Sequence, residues 1–226
     1  MSTTMECCLI VMAKAPRAGL VKTRLVPPLS AEQAAELYEA MLHDCVDHSY
    51  APQSWKLVLA FHPEEERDYF EELVADRDIE LAVQTGDGLP ARMDTLFAAL
   101  SQQHDRVCMR NTDSPQLSPD VVKEAFSKLD DDGDLVFGPD KGGGYYLVGM
   151  KEFRPGVFDA PPSTLSNYAD SKRQAFMLGY RTHELGEQRD IDQAHDLDAL
   201  CEELRSSGAT SCPKTYAWLK KCGRLS

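Results

Sequence analysis

The sequence has no apolar run that could cross a membrane. Its first apolar run, Cys7–Ala13, stops at Lys14 after seven residues, whereas a membrane-spanning helix needs about 20. No basic segment precedes this run, so it does not resemble a secretory signal peptide. The seven cysteines are odd in number and contain no Cys-x-x-Cys pair, which argues against a disulfide scaffold and against a structural zinc site. We therefore expect a cytoplasmic protein with free thiols and no membrane span.

The sequence also lacks an excess of positive charge. It has 24 Lys and Arg residues against 37 Asp and Glu residues, which gives a formal net charge of −13. Such a chain repels extended polyanions, so we expect no nucleic-acid partner and no attraction to anionic membranes. A small anion in a local pocket is compatible with this charge. The composition, with 42% hydrophobic residues, is typical of a globular protein and carries no signal for an oligomeric state.

Apolar runs of strand length alternate with helical patterns along the first half of the chain. Such alternation is typical of a mainly parallel sheet with helices on its faces. Ser30 and Gln33 have the spacing of a capping box, which predicts a helix beginning at Ser30. The other predicted elements here are strands at Cys7–Ala13, Trp55–Phe61, Ile79–Gln84 and Arg106–Arg110 and helices at Glu64–Val74, Leu89–Leu100 and Ser118–Leu129.

The pattern changes in the second half of the chain. Two predicted strands, Leu135–Gly138 and Tyr145–Met150, are separated by a glycine-rich loop that is too short for a crossover helix. We therefore expect them to be antiparallel or divergent, within a mixed sheet. No linker or repeat divides the chain, so we predict a single α/β domain over residues 1–226, with residues 207–226 as a tail. The remaining predicted elements are a helix at Leu165–Leu178, a strand at Tyr180–Leu185, a helix at Ala194–Leu204 and a short helix at Cys212–Cys222.

The loop after the first predicted strand is basic. Between Glu6 and Glu32 the sequence contains Lys14, Arg17, Lys22 and Arg24 and no acidic residue. In open α/β sheets, ligands bind at the loops that follow the carboxyl ends of the strands. Cations there, with main-chain N–H groups freed around Gly19, suit a phosphorylated ligand. The glycine spacing excludes a P-loop and a dinucleotide fingerprint, and the alternative is a solvated basic loop without a ligand.

Two acidic segments follow predicted strands. Asp113 directly follows the fourth strand, within Asn111–Pro115, at the same edge of the sheet. A carboxylate there can coordinate a divalent cation that bridges diphosphate oxygens, but it suits a turn or a helix cap equally well. In Asp190-Ile191-Asp192, alternation can direct one side chain into a site and the other away from it. An oxygen-only site suits Mg²⁺ or Mn²⁺ rather than Zn²⁺, because neither His nor Cys residues cluster here.

Several of these segments resemble one known family. The run Ala13–Leu25, with Lys14, Pro16, Gly19 and Lys22-Thr23-Arg24-Leu25, resembles the opening signature of the DUF2064 proteins, glycosyltransferase-like members of the nucleotide-diphospho-sugar transferase superfamily. The shorter Lys22–Leu25 element is also similar to that of the 2-phospho-lactate guanylyltransferases. The likeness covers the chain up to about Leu200 and continues at Gln84–Asp87 with Arg92, at Thr112–Pro115, at Gly138–Gly149 and at Asp190–Asp192.

The resemblance implies a single-domain GT-A fold, which is Rossmann-like with a mixed, mainly parallel sheet flanked by helices. It implies a metal-dependent transferase in which Asp113 and Asp192 hold Mg²⁺ or Mn²⁺ against a diphosphate, and in which Lys22 and Asp113 are catalytic. The leading hypothesis is a glycosyltransferase that uses a nucleotide-sugar donor. The alternative enzyme is a nucleotidyltransferase, in which a substrate phosphate attacks a nucleoside triphosphate and pyrophosphate leaves. The residues implied to bind the nucleotide and its phosphates are Lys14, Arg17, Gly19, Lys22, Thr23, Arg24, Gly86, Asp87 and Arg92.

The glycine-rich loop between the two paired strands departs from the family pattern. The resemblance implies that Gly143, Gly144 and Tyr145 border the acceptor or the sugar, although Tyr145 fits a strand aromatic equally well. The pattern Gly-Pro-Ala-x-Asp-Gly-Gly-Tyr has an aspartate where this sequence has Gly142. Asp140, two residues earlier, can replace it only if the loop is remodelled. A third hypothesis is therefore a nucleotide-binding protein whose acceptor chemistry is lost.

Overall fold

Strands and helices alternate along most of the chain in the computed structural model, which describes residues 6–51, 53–159 and 166–225. Short 3₁₀ turns at Thr23–Leu25, Glu64–Glu66 and Gly208–Ser211 complete the regular elements of these ranges. The strands are β1 (Cys7–Lys14), β2 (Lys56–His62), β3 (Glu80–Val83), β4 (Arg106–Arg110), β5 (Asp134–Pro139), β6 (Tyr145–Met150) and β7 (Arg181–Glu184). The helices are α1 (Ala31–Ser49), α2 (Arg67–Val74), α3 (Gly88–Leu100), α4 (Pro119–Ser127), α5 (Asn167–Met177), α6 (Ala194–Ser207) and α7 (Pro213–Lys221).

The strands form one sheet of seven in the order β3-β2-β1-β4-β6-β5-β7. β6 runs antiparallel to both of its neighbours, β4 and β5, and the other pairs are parallel. The residues between β5 and β6 are too few for a crossover helix, so the chain turns back directly. The predicted mixed, mainly parallel sheet and its antiparallel pair are confirmed.

Alternation along each strand divides the core between the two faces of the sheet. From β1, Leu9 and Val11 pack on the side of α1, α2 and α4, whereas Cys8 and Ile10 pack on the side of α3 and α5. A third apolar cluster lies outside the sheet and joins α1, α6 and α7; it includes Trp218. The result is a three-layer arrangement that leaves the carboxyl ends of the parallel strands accessible.

Local signals place several helix ends. The Ser30 hydroxyl accepts the N–H of Gln33 at 3.2 Å, and the Gln33 side chain accepts the N–H of Ser30 at 2.9 Å, so the predicted capping box is confirmed. In the helix predicted at Leu165–Leu178, Leu165 lies outside the described residues and α5 begins at Asn167. The seven cysteines are all free, as expected.

The C-terminal residues predicted as a tail are bound to α1. Main-chain N–H groups of Lys214 and Thr215 donate to the Asp44 carboxylate at 3.0 and 2.8 Å, and Trp218 Nε1 donates to Glu36 at 3.0 Å. Ser226 lies outside the described residues. Over the described part of the chain, no helix has the length and apolar character that crossing a membrane requires.

Candidate functional site

A pocket of about 470 Å³ opens at the carboxyl edge of the parallel strands. The basic loop (Lys14–Arg24) forms one wall of this edge pocket, the first turns of α3 form another, and the segment after β4 forms its floor together with Asp192. Its volume is in the range of small-ligand sites, and its place in the sheet is where open α/β folds bind ligands. The residues predicted to bind phosphate or metal that line it are Lys14, Lys22, Thr23, Arg24, Arg92, Asp113 and Asp192.

Three cations in the wall of the pocket have no acidic partner in the part of the chain that the structure describes. Among the described residues, no carboxylate oxygen lies within 4.0 Å of the side-chain nitrogens of Lys14, Arg24 or Arg92. Arg92 Nε donates only to the main-chain oxygen of Gly86, at 3.2 Å. We call Lys14, Arg24 and Arg92 the pocket cations. Their unpaired charge in an otherwise acidic protein favours an anionic ligand.

The charges of two pocket cations act on His62, the last residue of β2. The pKa of His62 is lowered from its usual value by partial burial and then by the nearby charges of Arg92 and Lys14. Both effects disfavour the charged imidazolium. The part of the carboxyl edge beside His62 is therefore locally positive, although the whole chain is negative.

Arg17 and Gly19 belong to the basic loop but do not line the pocket. Arg17 pairs with Glu66, to which its Nε donates at 2.7 Å, so its charge is already balanced. Gly19 adopts a φ of +77°, and a Cβ there would meet nothing within 4 Å. Arg17 was predicted to bind phosphate with the other cations of the loop, and nothing local in the sequence pairs it with the Glu64–Glu66 run. The pairing of Arg17 with this run depends on the position of α2.

Gly86 and Asp87 lie at the entrance to α3 and are not pocket-lining residues. Gly86 has a φ of +129°, and a Cβ there would lie 3.0 Å from Ala91, so only glycine suits the turn. Asp87 is the N-cap residue of α3, but its side chain makes no capping hydrogen bond. The turn brings Arg92 into the pocket, and we infer that Gly86 acts through backbone geometry.

The Lys22 side chain crosses the pocket floor and reaches Asp113 and Asp192, which form the acidic side of the pocket. Its Nζ donates to Asp113 Oδ1, to the main-chain oxygen of Ile191 at 2.6 Å and to Asp192 Oδ1 at 3.1 Å. Burial alone would lower the pKa of Lys22, but the attraction of Asp113 and Asp192 outweighs it and holds the pKa above its usual range. Lys22 is therefore a permanent cation, and it joins the basic loop to both acidic segments.

The two acidic segments are also tied to each other. The N–H of Ile191 donates to the main-chain oxygen of Asp113 at 2.8 Å. The Asp190 carboxylate accepts from Asn111 Nδ2 at 2.7 Å and from the Ser114 hydroxyl. Burial and then the charge of Asp113 raise the pKa of Asp190 to about 7. Asp190 therefore braces the loop that carries Asp113, whereas Asp192 faces the pocket.

The donor set at Asp113 and Asp192 has the oxygen chemistry of a Mg²⁺ or Mn²⁺ site. However, the position between their Oδ1 atoms holds the Lys22 ammonium. Within the described ranges, no group of three or more His, Cys, Asp or Glu side chains is arranged to hold a metal ion. As arranged here, the pair does not fit a bridging metal ion.

The glycine loop (Asp140–Gly144) lies beside this acidic side, outside the lining of the pocket. The Asp140 carboxylate accepts the N–H of Gly142 at 2.5 Å, and the main-chain N–H of Asp140 donates to the oxygen of Gly144 at 3.1 Å. A Cβ at Gly144 would lie 2.5 Å from Asp140 Oδ2, so glycine there leaves room for the carboxylate. Burial, together with the charges of Asp192 and Asp113, raises the pKa of Asp140 against the effect of its hydrogen bonds with the loop backbone. The loop thus folds around Asp140, which lies close enough to Asp113 and Asp192 for their charges to affect its pKa.

Tyr145 turns away from the pocket. Its ring lies 5.3 Å from that of Phe137, in the core on the α3 and α5 side. Gly143, with a φ of +87°, packs against Ser166. The structure therefore does not bring Gly143, Gly144 or Tyr145 into the lining of the pocket.

Tyr38, on α1, lines the pocket and was not among the predicted site residues. Its hydroxyl accepts the N–H of Lys14 at 3.0 Å and hydrogen-bonds Thr112 Oγ1 at 2.9 Å. Gln84, at the end of β3, donates to the main-chain oxygens of Ala13 and Ala60 at 3.0 and 2.8 Å. The helical spacing of Tyr38 is that of any core aromatic residue, so no local signal distinguishes it.

The overall similarities of the chain agree with this fold. The family model DUF2064, described as "Uncharacterized protein conserved in bacteria", matches residues 45–163. No curated protein sequence matches this chain. A crystal structure from Desulfovibrio desulfuricans G20, described as "putative nucleotide-diphospho-sugar transferase", has a TM-score of 0.87 and 27% sequence identity, and the match covers 98% of this chain and 96% of that one.

Two further solved structures share the fold at lower identity. A cytidylyltransferase from Leptospira borgpetersenii serovar Hardjo-bovis (strain JB197) has a TM-score of 0.58 at 13% identity, over 97% of this chain and 96% of that one. A nucleotidyl transferase from Methanothermobacter thermautotroptrophicus has a TM-score of 0.57 at 14% identity, over 90% of this chain and 99% of that one. The predicted fold class, that of the nucleotide-diphospho-sugar transferases, is confirmed.

Proposed function

The chain belongs to the DUF2064 family, and from this premise we propose that it is a glycosyltransferase. It binds the diphosphate of a nucleotide sugar in the edge pocket and transfers the sugar to an acceptor. The observation that carries the proposal is the set of unpaired pocket cations at the carboxyl edge of the sheet. In a protein with a net charge of −13, a local group of cations without acidic partners creates a field that attracts a small anion.

The pocket cations act on the phosphates. Arg24 and Arg92 offer planar donor groups that match phosphate oxygens, and Lys14 adds a mobile point charge. When the bond between sugar and diphosphate breaks, negative charge grows on the departing nucleoside diphosphate. Fixed cations around that position stabilise the transition state more than the bound donor.

Lys22 and Asp113 act as a unit at the pocket floor. Asp113 accepts from the Lys22 ammonium and fixes its direction. Lys22 lies on the same loop as Lys14 and Arg24 and lines the same pocket, and its ammonium offsets the negative charge that Asp113 and Asp192 would otherwise present to the diphosphate. In the proposed reaction Lys22 stabilises the leaving group and Asp113 positions Lys22.

The acceptor side is assigned to the glycine loop. Asp140 supplies the carboxylate that the family pattern carries two residues later. The hydrogen bond from the N–H of Gly142 holds this carboxylate in place. A carboxylate so held can accept a hydrogen bond from an acceptor hydroxyl and take up its proton.

Nucleotidyl transfer is a second candidate, and one observation favours it. The three pocket cations, without Lys22, whose charge Asp113 and Asp192 balance, still exceed the negative charge of the diphosphate of a nucleotide sugar. A nucleoside triphosphate carries more negative charge and would match them better. In that reaction a substrate phosphate attacks the α-phosphorus, the bond to the β-phosphate oxygen breaks, and pyrophosphate leaves. The two reactions break different bonds, so their products distinguish them.

The test identifies the products. The protein is incubated with panels of nucleotide sugars and, separately, of nucleoside triphosphates with sugar phosphates, each with Mg²⁺, with Mn²⁺ and with EDTA. Release of a nucleoside diphosphate supports glycosyl transfer, and release of pyrophosphate supports nucleotidyl transfer. Calorimetry on the same ligands identifies a binding protein if affinity is present without turnover. If no nucleotide or nucleotide sugar binds, the proposed function is wrong.

A further inference from the structure

Lys22 holds the position in which a metal ion would bridge Asp113 and Asp192. Its ammonium has three N–H groups, and it meets three acceptors: Asp113 Oδ1, Asp192 Oδ1 and the main-chain oxygen of Ile191. The Lys22 side chain is only 4% exposed, whereas those of Asp113 and Asp192 are 32% and 45% exposed. The ammonium thus lies beneath two carboxylates that face the pocket.

A divalent cation and the Lys22 ammonium would compete for the negative charge of the same two carboxylates, Asp113 and Asp192. A Mg²⁺ ion that bridged the two Oδ1 atoms would lie about 2 Å from each of them, which is inside the space that Lys22 Nζ fills. An ion approaching from the pocket side would meet carboxylates whose charge Lys22 has already partly neutralised. Repulsion between the two cations adds to this effect at short range.

Lys22 has a backbone conformation that lysine rarely adopts, which indicates that surrounding contacts hold the residue in position. Lys22 adopts φ +48° and ψ +36°, and it is the one residue other than glycine with a positive φ in the described ranges. A left-handed conformation costs a lysine free energy that glycine would not lose, so it persists where surrounding contacts over-determine it. These contacts include the N–H of Leu25, which donates to the main-chain oxygen of Lys22 at 2.9 Å, and the three hydrogen bonds of its ammonium, to residues 91, 169 and 170 positions away along the chain.

We propose that Lys22 is the resident counter-cation of the Asp113–Asp192 pair and lowers the affinity of that pair for divalent cations in the ligand-free protein. The inference concerns the cation alone and does not depend on which group the protein transfers. It places the lysine, rather than the metal ion, at the centre of the acidic side before a ligand binds.

Titration of the ligand-free protein with Mn²⁺ tests this proposal, with electron paramagnetic resonance reporting the free ion. The variants are Lys22→Met, the double variant Lys22→Met/Asp113→Asn and the matched control Arg17→Met, which removes a basic side chain from the same loop outside the pocket. We expect Lys22→Met to bind Mn²⁺ about tenfold or more tightly than the wild-type protein. Arg17→Met should match the wild-type protein, and addition of Asp113→Asn should abolish the gain.

Two results would overturn the proposal. One is a folded Lys22→Met variant with the Mn²⁺ affinity of the wild-type protein. The other is a ligand-free wild-type protein that already binds one Mn²⁺ tightly and loses this binding in the single variant Asp113→Asn. This arm uses no Lys22 variant, so it decides the matter even if Lys22→Met does not fold. Nucleotide binding, measured in EDTA on the same samples, is a separate readout: its absence would contradict the proposed function and leave the competition between lysine and metal intact.

Discussion

Replacement of Arg24 by glutamine should weaken binding of a diphosphate ligand, whereas the same replacement of Arg17 should not. Both residues belong to the basic loop and both carry one positive charge. Arg24 lines the pocket and has no acidic partner within 4.0 Å among the described residues. Arg17 instead donates to Glu66 at 2.7 Å, and it does not line the pocket. Glutamine keeps a polar side chain at each position but removes the charge.

The size of the effect follows from the chemistry of the contact. A hydrogen bond between charged groups contributes about 1.5–3 kcal/mol, and the lower end applies because the arginine is solvent-exposed and partly screened. A loss of about 1.4 kcal/mol is a tenfold loss of affinity, so Arg24→Gln should raise the dissociation constant about tenfold. Arg24→Gln with Arg92→Gln should raise it about a hundredfold if the two contacts are independent.

Calorimetric titration with inorganic pyrophosphate in EDTA measures this affinity without metal ions or catalysis. Repetition at higher ionic strength should reduce the difference between Arg24→Gln and the wild-type protein, since exposed charges are screened over about 10 Å at 0.1 M salt. Arg17→Gln should remain within about twofold of the wild-type protein, because its charge already has a partner. Equal losses in Arg17→Gln and Arg24→Gln would refute the reasoning, since a diffuse basic loop rather than a shaped pocket would then bind the anion.

Three further outcomes are expected. Pyrophosphate bound beside the pocket cations should raise the pKa of His62, because an added anion favours the imidazolium. Histidine NMR titration with and without pyrophosphate measures this, and the signals of the 70% exposed His195 serve as a control that pyrophosphate should leave unchanged. An unchanged His62 pKa would place the anion elsewhere. The Asp134 carboxylate accepts two main-chain N–H groups at 2.8 and 3.1 Å and two side-chain donors of β7, and although burial acts to raise its pKa, these contacts hold it well below the usual range. Asp134→Asn should therefore be less stable than the wild-type protein by about 2 kcal/mol at pH 7. The gap should begin to narrow as the pH falls below about 4, where the carboxyl of the unfolded chain takes up protons, and should close only below the lowered pKa of the folded protein. Urea denaturation should give a smaller gap at pH 3 than at pH 7, and a gap independent of pH would contradict the reasoning. Gly138→Ala would force a Cβ into the buried ring of Tyr146 and should cost about 1–3 kcal/mol, and an unchanged melting temperature would show that the ring can move aside.

Local signals in the chain predicted most of the fold. The apolar run of β1, the capping box at Ser30 and the short connection between β5 and β6 each depend on residues close in sequence, and each is confirmed. The same local reasoning placed the basic loop after β1 and Asp113 after β4. Because parallel strands end at one edge of the sheet, both segments had to approach the same side of the molecule.

Local sequence patterns could not predict which charged side chains form ion pairs at that edge of the sheet. In the sequence, Arg17 and Arg24 are both arginines of the same basic loop, and nothing nearby distinguishes them. The packing of α2 brings Glu66 to Arg17 and leaves Arg24 without an acidic partner among the described residues. Tyr38 has the spacing of a core residue, yet its hydroxyl holds the start of the basic loop. Asp140 required a turn in which glycines at 142 and 144 make room for its carboxylate.

The sequence by itself determined which charges meet at the carboxyl edge, because chain order and strand direction carry the ends of β1 and β4 there. Only the tertiary structure decided that the Lys22 ammonium, rather than open space, lies between Asp113 and Asp192. The partners are 91 and 170 positions away along the chain, and no periodicity or local spacing relates them. Their contact depends on side-chain direction and on the exclusion of water, which the packed molecule alone sets.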